Sequence, residues 1–155
     1  MAVYWGRQAA GALIFAVDTG RVLLLLRSEE VMEPGLWGIP GGRVEAGEDP
    51  RETALAETGE ECGDAPGLVV DSAPIDEWRA PDGDFVYYTF RASVPAEFVP
   101  TLNWESDDYR WAEPADAARD PGVHHNVRRV LAGLKVDQKD VKCDRGRRRF
   151  TKEKG

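Results

Sequence analysis

Cysteine is nearly absent from this 155-residue chain: Cys62 and Cys143 lie far apart, with neither CxxC spacing nor a histidine beside them. That excludes a disulfide scaffold and a cysteine-based zinc site, and it sets a reducing cytoplasm as the expected compartment. Histidine is as scarce. The single pair His124-His125 has no other soft ligand nearby and reads as surface rather than a metal site. Long apolar runs are missing too. Runs such as residues 12–17 (ALIFAV) and 22–26 (VLLLL) are strand-sized, far short of the ~20 residues a membrane span needs, so no membrane partner is expected. The first residues lack the charged-then-apolar order of a secretory leader, and none is expected. Internal repeats are absent. What remains, 42% hydrophobic and 31% charged residues, is the composition of a globular domain with a real core.

The net charge of −8 is unevenly spread. Residues 135–155 hold nine Lys/Arg and four acids, a local balance of +5, which leaves −13 on residues 1–134. We therefore expect one domain over 1–134 and a basic extension over 135–155. The run Arg145-Gly146-Arg147-Arg148-Arg149 could bind RNA, although a solubilising end is the simpler reading. The acidic body repels phosphates unless something neutralises it, and a divalent cation would do so. The sequence leaves a homodimer open.

Two strand-length runs, residues 9–17 and 22–27, are joined by Asp18-Thr19-Gly20-Arg21, a hairpin signal. Residues 33–42 (EPGLWGIPGG) must be loop or short strand, because the prolines and glycines break regular pairing. Further strands are expected at 68–70, 73–78, 85–92 and 108–112, and helices at 114–118 and 126–134. The order predicts a mixed sheet covered by helices, an α/β (α+β) fold.

The residues that carry chemistry lie between Gly42 and Gly63, GRVEAGEDPRETALAETGEECG. Asp49-Pro50 opens a helix as N-cap and first helical residue, and Gly63 closes it. Wound at about 100° per residue from Glu57, Glu60 falls at roughly −60° and Glu61 at roughly +40°. Leu55, Thr58 and Cys62, at roughly 100–160°, make a separate inward face. Like charges ~4 Å apart cost about 1 kcal/mol in water and about 4 at an effective dielectric of 20. Carboxylates that close, facing a glycine loop, suit a hard divalent cation such as Mg²⁺, with water and phosphate oxygens completing its shell.

This stretch resembles the Nudix box, G-x5-E-x7-R-E-U-x-E-E-x-G-U. Gly42, Glu48, Glu57, Glu60, Glu61 and Gly63 match it, and Trp37-Gly38-Ile39-Pro40-Gly41-Gly42 resembles the family's approach to the box. Ala56 stands where the family has arginine, and Thr58 and Asp64 replace aliphatic residues. Arg43 or Arg51 could supply the missing charge, but Arg51 lies on the core-side arc. The resemblance implies a Nudix-like α/β/α sandwich holding one to three Mg²⁺ or Mn²⁺ ions. Its ligands would be Glu57, Glu60, Glu61 and the carbonyl of Gly41, supported by Glu48 from behind. The base would be a helix glutamate, Glu57, or a carboxylate of the loop carrying Glu105, Asp107 and Asp108, with Glu105 first.

Arg27, Trp37 and Arg43 are the candidates for holding substrate: Arg27 by gripping phosphate, Trp37 by stacking a base. Trp5, Trp78 and Trp111 compete for the stacking role, and core packing is the simpler reading for most of them. The activity implied is hydrolysis of a pyrophosphate bond in a nucleoside diphosphate linked to a further group, in nucleoside triphosphates or nucleotide sugars. Two rivals remain: a Nudix-fold binding or regulatory module weakened at Ala56, and removal of 5′ phosphates from RNA by way of the basic end.

Overall fold

The computed structural model describes residues 7–134. The extension read at 135–155, and Trp5, lie outside those residues. Strands β1 (Gln8–Ala16), β2 (Val22–Arg27), β3 (Trp37–Gly38), β4 (Gly41–Arg43), β5 (Val69–Val70), β6 (Asp76–Arg79), β7 (Val86–Val94) and β8 (Ser106–Ala112) form one mixed sheet. Its central order is β3-β2-β1-β7-β5, with β4 on β1, β6 on β7 and β8 on β2. Helix α1 (Pro50–Cys62) covers one side; α2 (Pro114–Ala117) and a helix over residues 125–134, α3, cover the other.

Both faces of the central strands are buried, which is why they read as unbroken apolar runs. Ala10, Ala12, Ile14 and Ala16 of β1 pack with Ala54 and Cys62 of α1, whereas Leu13 and Phe15 pack with Val127, Val130 and Leu131 of α3. β2 divides in the same way, Leu23 and Leu25 to one side, Val22 and Leu24 to the other. No helix among the described residues is long and apolar enough to cross a membrane.

The hairpin expected at residues 18–21 turns as the sequence signals, with Gly20 at φ 74°, but its strands part at once. β1 meets β2 only at Phe15↔Val22; it runs parallel to β7 from Gln8↔Val86 to Ala16↔Val94, while β2 pairs with β8. Into the gap comes the Pro/Gly stretch, β3 against β2 and β4 against β1. Gly11 admits it: a Cβ there would overlap the Tyr87 hydroxyl and lie 2.7 Å from the Pro40 carbonyl. This non-local pairing sets the glycine loop in the middle of the sheet, facing α1.

Candidate active site

α1 begins and ends as its caps dictate. Asp49 accepts from the Arg51 N–H, Pro50 starts the helix, and Gly63 closes it at φ 72° with its N–H on the Gly59 carbonyl. The helix packs on β1 and β4. Glu61 is only 6% exposed, and its Oε2 accepts from the Gly41 N–H at 2.9 Å. Glu57 is half-buried over Gly42, where a Cβ would come within 2.5 Å of its Cδ and Oε1. Glycine at 42 is therefore what lets that carboxylate approach the strand. Glu60 is exposed on the helix flank.

The expected separation between an acidic face and a core face does not hold. The buried residues Thr53, Ala54, Thr58, Glu61 and Cys62 form one arc with Glu61 inside it, and Leu55, expected inward, is 39% exposed. Small residues at the contact, with the Thr58 hydroxyl turned back onto the Ala54 carbonyl at 2.8 Å, let the helix lie close to β1. The Gly41 N–H gives the buried carboxylate its partner.

Glu105, just before β8, joins this group from a distant part of the chain, and its charge acts on both Glu57 and Glu61. Asn103 holds it: the Asn103 amide donates to Glu105 Oε1 at 3.3 Å and accepts from its backbone N–H at 3.0 Å. Gly41, Glu61, Glu105 and Arg27 border a cleft of about 20 Å³, room for one water or one cation. Burial, with the Glu105 charge next, pushes Glu61 up to about 9 against the pull of the Gly41 N–H. Burial, followed by the Glu60 and Glu105 charges, pushes Glu57 up to about 7. Glu61 so placed holds its proton at neutral pH and Glu57 shares that tendency in part, and a divalent cation would displace these protons. The donor set is oxygen-only, which fits a hard cation and not a thiophilic one.

Beyond Gly41 opens a larger cleft of about 330 Å³, enough for a ring. Its apolar wall holds Ile39, Val127, Tyr87, Trp78 and Phe85, the last two edge-to-face at 6.2 Å. Glu33, His124, His125 and Asn126 give it a polar rim. The Tyr87 hydroxyl is wedged between Gly11 and Gly41, and burial, with the Glu61 charge, holds it protonated. Arg27 borders both clefts; its Nε donates to the Met32 carbonyl at 2.6 Å, and among the described residues no carboxylate pairs with it.

The other sequence candidates lie elsewhere. Trp37 packs against the α3 side of the sheet with the Arg110 guanidinium 4.6 Å over its ring, so that face is taken and the ring lines neither cleft. Arg43 pairs with Glu45 at 3.3 Å on an exposed edge, outside both clefts. Glu48 accepts from the Glu45 N–H at 2.9 Å and the Thr53 hydroxyl at 3.3 Å; it braces the loop and first turn of α1 rather than touching the other glutamates. Arg51 donates to the Val70 and Asp71 carbonyls, and Ala56 is exposed, so no arginine among the described residues pairs with Glu57, Glu60 or Glu61. Trp111 is core as expected, its Nε1 on the Phe98 carbonyl at 3.1 Å. Trp78, one of the competitors for stacking, packs on the Ala9, Ala80 and Phe85 cluster and lines the cleft as well. Sequence reasoning missed Tyr87 and Glu33 altogether.

The sequence profile of the NUDIX domain matches residues 6–134. A putative 8-oxo-dGTP diphosphatase 3 of Mycobacterium tuberculosis is 30% identical over 95% of this chain and 72% of its own length. The dihydroneopterin triphosphate diphosphatase of Haemophilus influenzae is 26% identical over 84% of this chain and 89% of its own. Among solved structures, the Nudix hydrolase RenU of M. smegmatis superposes with a TM-score of 0.75 at 27% identity, covering 90% of this chain and 91% of that one. With the box glutamates on their helix, the glycine loop beneath them and a match spanning nearly every described residue, this chain belongs to the NUDIX domain family.

Proposed function

We propose that the chain hydrolyses a pyrophosphate bond in a nucleoside diphosphate linked to a further group, a nucleoside triphosphate or nucleotide sugar foremost. Mg²⁺ or Mn²⁺ would be held by Glu57, Glu60, Glu61 and the Gly41 carbonyl. The observation that carries this reading is the convergence of Glu57, Glu61 and Glu105, from two separate segments, on one glycine loop beside a ring-sized cleft. A cation bound there would neutralise the pyrophosphate and make water a stronger acid. The chain supplies the rest. The Gly41 N–H fixes Glu61, and Asn103 holds Glu105 to take the proton of the attacking water. The guanidinium of Arg27, with no carboxylate partner among the described residues, would hold phosphate oxygens at the edge of both clefts. Glu48 keeps α1 in register with the loop. Release of phosphate or pyrophosphate from a nucleotide panel, with and without Mg²⁺ and with products identified, tests the reading. No metal-dependent turnover of any member would reject it, and retained binding would favour the regulatory module suggested by the unpaired glutamates beside Ala56.

Glu105→Gln separates the two candidate bases. If Glu105 takes the proton, turnover falls by ~10²–10⁴-fold with little change in KM. Turnover within a few-fold of the parent assigns the proton to Glu57.

Metal-free stability should depend on pH. Between about 4.5 and about 9 the folded chain keeps on Glu61 a proton that the unfolded chain has released. Stability therefore falls as pH rises through that window, and a divalent cation, by displacing the proton, restores more at its alkaline end. Thermal unfolding with and without Mg²⁺ should show a larger metal-dependent rise in Tm at pH 8.5 than at pH 6. An equal rise at both would remove Glu61 from the ligand set.

A further inference from the structure

The rim of the larger cleft carries a carboxylate that the hydrolytic chemistry does not use. Glu33 is the one non-glycine residue at positive φ among those described, at 53°, a strained conformation that persists only where surrounding structure imposes it. Its Oε2 lies 2.7 Å from His124 Nε2, and its side chain is 45% exposed at the cleft. Both partners are held independently of that contact. Arg27 pins the loop through the Met32 carbonyl, while Trp37 is tied to the Gly122 carbonyl at 2.9 Å and to the His124 N–H at 2.8 Å.

His124 has one tautomer available. Its Nδ1 accepts from the Asn126 N–H at 3.2 Å, at the start of α3, so Nε2 carries the hydrogen and donates to Glu33. Both ring nitrogens are thereby used. Although Glu33, His124 and His125 place ligand atoms within 4.8 Å of one another, His124 has no lone pair left for a metal. With Oε2 engaged by His124, the second carboxylate oxygen of Glu33 has no hydrogen-bond partner among the described residues, and Glu33 lines the cleft that would take the ring.

The geometry points to Glu33 as the residue that selects the substrate's heterocycle, by accepting hydrogen bonds from adjacent N–H donors on its edge, with His124 as its positioning residue. This rests on the nucleotide reading above. A carboxylate favours an edge with a ring N–H beside an amino group, tolerates one donor, and repels a carbonyl in the amino position. Guanosine, inosine and xanthosine triphosphates present those three edges. Specificity constants should fall in that order, by ~10-fold or more at each step, the first for the lost amino donor and the second for the carbonyl in its place. Glu33→Gln should compress the range to a few-fold while kcat for the guanosine compound stays near the parent value, since the loss is in KM. His124→Ala should compress it likewise, and His124→Gln, which keeps an N–H at the Nε2 position, should restore it. An unchanged order in Glu33→Gln, or a flat order in the parent, overturns the proposal. Equilibrium binding of the same three nucleotides reads the selection without turnover. Ordered binding with no hydrolysis would sink the hydrolase reading and keep this one, and equal binding would sink this one alone.

Discussion

Glu61→Gln is expected to abolish metal-dependent turnover while leaving the fold intact. Glu61 is buried and holds a proton at neutral pH in the metal-free chain, so the neutral amide closely matches the group it replaces. The Gln carbonyl oxygen can still accept from the Gly41 N–H. What the amide cannot supply is the negative charge a hard cation draws on. The loss should exceed the ~10–100-fold that follows removal of an outer-shell partner, with a metal-free Tm equal to or above that of the parent at pH 8. A variant that turns over normally would show that Glu61 is only a structural acceptor for the glycine loop.

Glycine substitutions divide the loop into two roles. Alanine at 42 would lie within 2.5 Å of the Glu57 carboxylate, the mobile end of a side chain, so that carboxylate is displaced and the fold survives. Activity should drop at least ~10²-fold, by analogy with losses of single electrostatic groups, with Tm within a few degrees. Alanine at 11 would meet the Pro40 carbonyl at 2.7 Å as well as the Tyr87 hydroxyl, and backbone cannot step aside cheaply. That overpacking should cost about 3 kcal/mol or more of stability. Chemical denaturation and assay of both variants check the division; a stable, inactive Gly11→Ala or an unfolded, otherwise competent Gly42→Ala would contradict it.

Much of the site was written locally. The Asp49 cap, Pro50 and Gly63 act through hydrogen bonds within a few residues, and the box spacing placed Glu57, Glu60 and Glu61 on one helix. The helical projection could not say which way α1 would roll, because that depends on the Gly41 N–H and on how closely Ala54 and Thr58 let the helix approach β1. Glu105 was legible as an acid before a strand, but not its charge coupling to Glu57 and Glu61. Glu33 and His124 meet only because Trp37 bridges Val123 from a distant segment, and nothing in either stretch signals the other. The parting of β1 and β2 is equally non-local: the turn is encoded in four residues, whereas each strand's real partner lies far along the chain. Trp37 stands outside both clefts for a similar reason, since Arg110 reaches one face of its ring from β8.

The claim that the three carboxylates form a divalent-cation site is tested most directly by calorimetric titration with Mn²⁺ near neutral pH, in buffers of different ionisation enthalpy. With Glu61 pushed up to about 9 and Glu57 to about 7, binding should expel more than one proton per cation. Glu61→Gln should bind at least ~10-fold more weakly and release about one proton fewer. Tight binding without proton release, unchanged in Glu61→Gln, would place the cation elsewhere and contradict the account.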